Sequence, residues 1–255
     1  KALEIPTHPE TGVSLEALEL ALDQWPVKAL QITPTCNNPL GYTMPEERKR
    51  RLISLAQSHD LAIIEDDIYG DLAYQYPRPR TLKSYDEEGR VLLCSSISKT
   101  LAPGLRVGWV APGRYGDVLL HMKYVSTAAS ATLPQRAVAE FIAQGGYERH
   151  LRKMRLQYQR GRDRMIEWVE RYFPATTRIS YPQGGYLLWI ELPEGFDSVK
   201  LSNRLARQGI GIAPGVLFSA SGKYRNCLRL NYAEEPSEKL RQALETIGAE
   251  VRQLL

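Results

Sequence analysis

An α/β fold, with a large domain on a mostly parallel sheet followed by a smaller α/β domain, is what this sequence predicts. Three observations predict it. Short apolar runs alternate with longer amphipathic ones through roughly the first 145 residues, the pattern of strand–helix–strand units. Three segments rich in polar residues follow predicted strands, where open α/β sheets place their ligands. After Pro174 the texture changes to an alternating strand, a short helix, another strand and a terminal helix.

The elements follow in order. Ser14 is placed to cap a helix through Gln24, and residues 29–33 read as a buried strand. Thr43-Met44-Pro45-Glu46 has capping-box spacing with proline in the first turn, opening a basic helix to about His59. Residues 61–65 form a strand that delivers Asp66, Asp67 and Tyr69, and residues 91–94 form one that ends in Ser95-Ser96-Ile97-Ser98-Lys99. Residues 106–111 read as a further strand. Helices are predicted over 115–125, 134–143 and the long stretch 147–172, then strand 186–191, helix 199–208, strand 227–231 and helix 237–255. The domain expectation is 1–145 for part of a large domain, 146–173 for an interdomain helix and 174–255 for a small domain.

Composition narrows the function classes. The chain has 255 residues with 43% hydrophobic and 24% charged, which excludes disorder as the dominant state. A net charge of +4 is too small to argue for nucleic acid by itself. No apolar run approaches the ~18 residues of a membrane span. Cys36, Cys94 and Cys227 are widely spaced and odd in number, so they read as reduced thiols of a cytoplasmic protein. His8, His59, His121 and His150 have no partner at metal-ligand spacing and read as structural. Arg48-Lys49-Arg50-Arg51 reads as a solvated helix face. In the Arg-rich helix, Leu151, Met154, Tyr158, Met165 and Trp168 supply the apolar contacts.

Three segments carry chemistry. Asn37-Asn38-Pro39-Leu40-Gly41, alone, is turn chemistry. Glu65-Asp66-Asp67-Ile68-Tyr69 puts a carboxylate after a buried strand, where it needs a partner; a protonated ring nitrogen is one, an acidic loop cap the plain alternative. Ser96-Ile97-Ser98-Lys99, with Arg106 seven residues on, offers two hydroxyls and a guanidinium to a phosphate while leaving the lysine for another partner. It lacks the glycine order of a P-loop, and a serine-rich loop with an exposed lysine is the alternative.

Together, in this order, the three segments resemble the fold-type I pyridoxal-phosphate (PLP) dependent aminotransferases of class I/II. Gly184-Gly185-Tyr186 and Leu228-Arg229-Leu230-Asn231-Tyr232 match the family's small domain, so the resemblance covers essentially the whole chain. It implies a PLP-transferase fold and a role for each matching residue. Lys99 matches the lysine that forms the Schiff base and then carries the proton between substrate and cofactor. Asp66 matches the carboxylate that keeps the pyridine nitrogen protonated. Asn38 and Tyr69 match the pair on the ring's phenolic oxygen, with Asn38 also facing substrate. Ser96, Ser98 and Arg106 match phosphate ligands, and Arg229 the clamp on the substrate α-carboxylate. Lys99, Asp66 and Tyr69 are thus the implied catalytic set.

The family also has, upstream of its Asn-Pro segment, a phosphate loop and an aromatic residue that stacks on the ring. Only 37 residues precede Asn38 here and they have no place for either, so the chain is expected to be a C-terminal portion whose sheet exposes an edge and an apolar face. The wording of the three segments is most similar to two groups: the α-aminoadipate-like aminotransferases, and the MocR group of GntR-type transcription regulators. Asn-Asn-Pro-Leu-Gly-Tyr favours the regulators. The expectation is therefore a regulator's PLP-binding domain that senses or transaminates an α-amino acid or amine. A free-standing aminotransferase, or another PLP reaction such as β-elimination, is the alternative. A homodimer is implied, with DNA reached only through a domain outside these residues.

Overall fold

The computed structural model describes residues 2–255 and divides into two compact units. One holds Ile5–Asn37 with Tyr42–Met154; the other holds the chain start up to Glu4, Asn38–Gly41 and Arg155–Leu255.

The first unit opens with a two-strand hairpin, β1 (Thr7–His8) and β2 (Gly12–Val13). Helix α1 (Leu15–Gln24) follows, and the Ser14 hydroxyl caps it by accepting from Ala17 N at 3.2 Å. Then come β3 (Ala29–Ile32), α2 (Glu46–Ser58), β4 (Ala62–Asp66), β5 (Val91–Ser96) and β6 (Gly108–Ala111). Strands β3, β4 and β5 run parallel, and β6 returns antiparallel to β5. Helices α3 (Gly116–Thr127), α4 (Thr132–Ala143) and the first turns of α5 (Gly146–Tyr172) complete this unit.

Alternation along the strands separates two faces of the sheet. Leu30, Ile63 and Val91 stand in register on one, followed by Ile32, Glu65 and Leu93. There Ile63, Val91 and Glu65 are fully buried, and the 3-10 turn Leu82–Tyr85 lies against β5 and α2. The opposite face carries Ile64 and Val110, 37% and 39% exposed. Residues 29–33 were expected to be a buried strand; β3 instead leaves Ala29 and Gln31 exposed, because they stand on that open face. Val118, Leu120, Met122, Tyr124 and Val125 of α3 are also exposed.

Two further expectations are corrected. Thr43 caps nothing: α2 starts after Pro45 with no side-chain cap, and the Thr43 hydroxyl accepts from Cys36 N at 3.3 Å instead. Lys49 is not on a solvated face but fully buried, its ammonium donating to Arg80 O at 2.5 Å and Thr35 Oγ1 at 3.3 Å. It shares a face with Leu52, Ile53 and Ala56, and burial pulls its ammonium below the ordinary value against the pull of Glu65 and Asp67.

Glu65 accepts from Leu82 N at 2.7 Å and Lys83 N at 2.9 Å. Burial pushes its carboxyl from 4.5 up to about 7, against the pull of those two N–H groups. A carboxyl raised by folding stabilises the fold fully below its unfolded value and loses that contribution as pH rises through the folded value. Here the window runs from 4.5 to about 7 and is worth roughly 3 kcal/mol. Melting curves taken from pH 5 to 8 should show stability falling with pH, and Glu65→Gln should flatten that slope. An equal slope in the variant would assign the fall to another group.

The second unit contains the rest of α5, then β7 (Arg178–Ile179), β8 (Leu187–Glu191), α6 (Ser198–Ala206), β9 (Ala213–Pro214), β10 (Cys227–Asn231) and α7 (Glu238–Leu254). Its sheet has the order β7-β8-β10-β9 and is antiparallel throughout. Asp197 caps α6 through Val199 N and Lys200 N, and Ser237 caps α7 through Leu240 N. Leu188, Ile190, Leu201, Leu205, Leu228 and Val251 are fully buried, each contributing about 1.5–3 kcal/mol of apolar transfer.

Candidate cofactor site

The first unit gathers six of the sequence-predicted site residues: Asp66, Tyr69, Ser96, Ser98, Lys99 and Arg106. Asp66 is the last residue of β4 and Ser96 the last of β5, so both stand at C-terminal ends of adjacent parallel strands. The register fixes this spacing, pairing Asp66 with Cys94. Asp67 N donates to Cys94 O at 2.9 Å and Ser95 Oγ to Asp67 O at 3.2 Å, tying the strand ends together just past Asp66.

Asp66 is half-buried, and its Oδ1 accepts from Ile68 N at 3.2 Å. Burial raises its carboxyl above the ordinary value, while the Ile68 N–H and the charge on Lys99 draw it back. Tyr69 is buried, at the N-terminus of the 3-10 turn Gly70–Leu72. Past β5 the chain turns sharply: Ser98 N donates to Ser96 Oγ at 3.3 Å, and Leu101 N to Ile97 O at 2.8 Å. That turn holds Lys99 half-buried. Arg106 follows the 3-10 turn Pro103–Leu105 in the left-handed region, φ 52°, a conformation that L residues adopt at a cost of about 1 kcal/mol or more. Its guanidinium is exposed and donates to Pro103 O at 3.3 Å.

The second unit brings together the remaining two, Asn38 and Arg229. Arg229 Nη1 donates to Asn38 Oδ1 at 2.9 Å, and the guanidinium carbon lies 5.0 Å from the Phe218 ring centroid. Trp189 meets the Phe218 ring edge-on, with centroids 5.5 Å apart. Phe218 escaped the sequence reading; its only signal was the Gly-Val-Leu-Phe segment ahead of the Arg229 strand. Gly41, at φ +78°, closes the Asn-Pro turn where a Cβ would stand 2.7 Å from Pro182.

The donor set fits a phosphorylated pyridine aldehyde. A carboxylate suits a protonated ring nitrogen, an amine suits the aldehyde carbon, and hydroxyls with a guanidinium suit a phosphate. Among the described residues no group of His, Cys, Asp or Glu is arranged to hold a metal ion, and all three cysteines are free thiols.

A carboxylate at the end of one parallel strand and a lysine in the turn after its neighbour match the fold-type I PLP-dependent transferases, the fold that the solved relatives share. The chain belongs to the aminotransferase class I and II family, whose model matches residues 2–247. It is 57% identical over 251 residues to the uncharacterized HTH-type transcriptional regulator YjiR of Escherichia coli (strain K12), covering 98% of this chain and 53% of that protein. It is 32% identical to aromatic-amino-acid aminotransferase 1 of Thermococcus litoralis, covering 98% of this chain and 61% of that one. The Pyrococcus horikoshii kynurenine aminotransferase, solved in complex with PMP, superposes with a TM-score of 0.91 at 32% identity, covering 99% of this chain and 64% of that one. The chain thus spans about half the length of the regulators it matches. The cofactor implied by the family is pyridoxal 5'-phosphate. No described helix is long and apolar enough to cross a membrane.

Proposed function

We propose that this chain is the PLP-binding, aminotransferase-like part of a cytoplasmic, homodimeric transcription regulator that senses or transaminates an α-amino acid. The observation that carries the reading is the placement of Asp66 at the end of β4 and of Lys99 in the turn just past the neighbouring parallel strand β5, together with 57% identity to an uncharacterized HTH-type regulator. Residues 1–145 serve as part of the cofactor domain, 146–173 as the connecting helix and 174–255 as the small domain.

When bound, PLP supplies an electron sink for a substrate carbanion. Lys99 would hold the cofactor through its amine and, as a free amine, would carry a proton to or from the substrate Cα. Asp66 would hold a proton on the ring nitrogen, and Tyr69 and Asn38 are the residues that would donate to the phenolic oxygen. Ser96, Ser98 and Arg106 would hold the phosphate, and Arg229 would take the α-carboxylate in its planar fork. For regulation, the effector must bind the DNA-competent and DNA-incompetent states with different free energies.

The test is operator binding by the native full-length protein across additions of PLP and amino acids. Unchanged DNA affinity in every combination would remove the regulatory reading. A free-standing aminotransferase is the second reading, favoured by the 32% identity to the Thermococcus litoralis aromatic-amino-acid aminotransferase 1; formation of 2-oxoacid without any operator binding would establish it. In either case Arg229→Ala should weaken amino acids roughly tenfold or more while leaving simple amines nearly unaffected, as loss of a charged hydrogen-bonding pair dictates. Equal weakening of both would make Arg229 structural.

A further inference from the structure

Asp67 and Asp71 stand within five residues of Asp66, the first buried and the second half-buried, and the roles assigned above use neither. Buried carboxylates need a partner, and one arginine serves both. Arg78 Nη2 donates to both oxygens of Asp67 at 2.6 Å, and its Nη1 donates to Asp71 Oδ1 at 2.5 Å. Burial pushes the Asp67 carboxyl up, and the Arg78 charge pulls it back. Gly70 keeps the space open: a Cβ there would stand 1.9 Å from Arg78 Nη2 and 2.2 Å from Asp67 Oδ1.

The chain of contacts continues beyond the arginine. The Tyr147 hydroxyl, from the first turn of α5, donates to Asp71 Oδ2 at 2.8 Å. Its oxygen also lies 3.1 Å from Thr100 Oγ1. A hydroxyl has one proton, so with that proton on the carboxylate its oxygen accepts from Thr100. His150, one turn further along α5, donates from Nε2 to Thr100 O at 2.7 Å. A continuous path therefore runs Asp67–Arg78–Asp71–Tyr147–Thr100. Its two ends are the residues that directly follow Asp66 and Lys99.

Sheet hydrogen bonds fix Asp66, but Lys99 lies three residues beyond β5 in a turn, where the ladder no longer sets its place. Catalytic groups have to be held to within about 0.5 Å of productive geometry by side chains that are themselves locked. We propose that Arg78 and Tyr147 are positioning residues, which bridge the loop after Asp66 to the turn that carries Lys99 and so hold the ring-nitrogen carboxylate and the cofactor lysine at one fixed separation. The proposal rests on the roles given to Asp66 and Lys99 above. The bland alternative is that the network only neutralises two acids.

The experiment uses the native full-length protein with PLP and reads three quantities: PLP affinity, the pH midpoint of the bound cofactor's visible band, and the melting temperature. Tyr147→Phe removes one oxygen and keeps the ring, so it carries the test even if Arg78→Met fails to fold. Lys83→Met is the control, since it breaks another ion pair of this unit, Lys83–Asp86 at 3.0 Å. Tyr147→Phe and Arg78→Met should weaken PLP roughly tenfold, the scale of other orienting partners. Arg78→Met should also raise the band's pH midpoint, because removing a cation favours the protonated chromophore. Lys83→Met should lower the melting temperature and leave affinity and midpoint unmoved. If both network variants change only the melting temperature, the positioning role is overturned. A parent protein that gives no borohydride-reducible PLP adduct refutes the roles of Asp66 and Lys99, and this proposal with them.

Discussion

Lys99→Ala is expected to abolish covalent retention of PLP without unfolding the chain. Lys99 carries the only amine side chain within residues 62–66 and 91–99, and only an amine forms a borohydride-reducible imine with an aldehyde. Two other lysines of the same unit are already engaged: Lys49 is buried against Thr35 and Arg80 O, and Lys83 donates to Asp86 and Val91 O. Neither is placed to substitute. Borohydride reduction followed by intact mass should show one phosphopyridoxyl adduct on the parent and none on the variant. Turnover, where the parent has it, should drop by a factor on the order of 10²–10⁴ with the loss of the proton carrier. A surviving adduct would move the assignment to another lysine.

Asp66→Asn should show the second large effect, and of a different kind. Asparagine keeps the shape and can still accept from Ile68 N, so the end of β4 should persist. It loses the negative charge that holds a proton on the ring nitrogen, and with it the stabilisation of a substrate carbanion. Exchange of the substrate Cα proton with deuterated water, followed by NMR, should slow on the order of 10²–10³-fold, the usual scale for removing one electrostatic stabiliser. PLP should still bind. Exchange at the parent rate would deny Asp66 its role.

Much of this was legible in the sequence because local chemistry and tertiary position agreed there. Ser14 stands directly before an apolar-periodic run and caps its helix. The Asp66 and Ser96 strand ends follow from short apolar runs with polar tails, and the structure sets both runs parallel. Thr43 misled because capping-box spacing is a pattern of residue types, whereas Pro45 moved the helix start and left the hydroxyl to Cys36. Lys49 was hidden inside a run of like charges. Its spacing to Leu52, Ile53 and Ala56 is that of one helix face, and giving that periodicity more weight than the charge run would have found it. The two-residue strands β7 and β9 carry too few residues for any alternation. Arg78 and Tyr147 lie 11 and 76 residues from the acids they meet, a proximity that only folding creates.

The division into units has a practical consequence for anyone dissecting the molecule. The backbone passes from one unit to the other after Glu4, after Asn37, after Gly41 and again inside α5 between Met154 and Arg155. A single cut in that helix therefore frees neither piece whole. The N-terminal product would carry away Asn38, the hydrogen-bond partner of Arg229, and the C-terminal product would keep the arginine without it. Excision of the Arg229 unit as one uninterrupted stretch is ruled out by its threading. A truncation series along this chain will consequently report the loss of shared parts rather than the properties of separable modules.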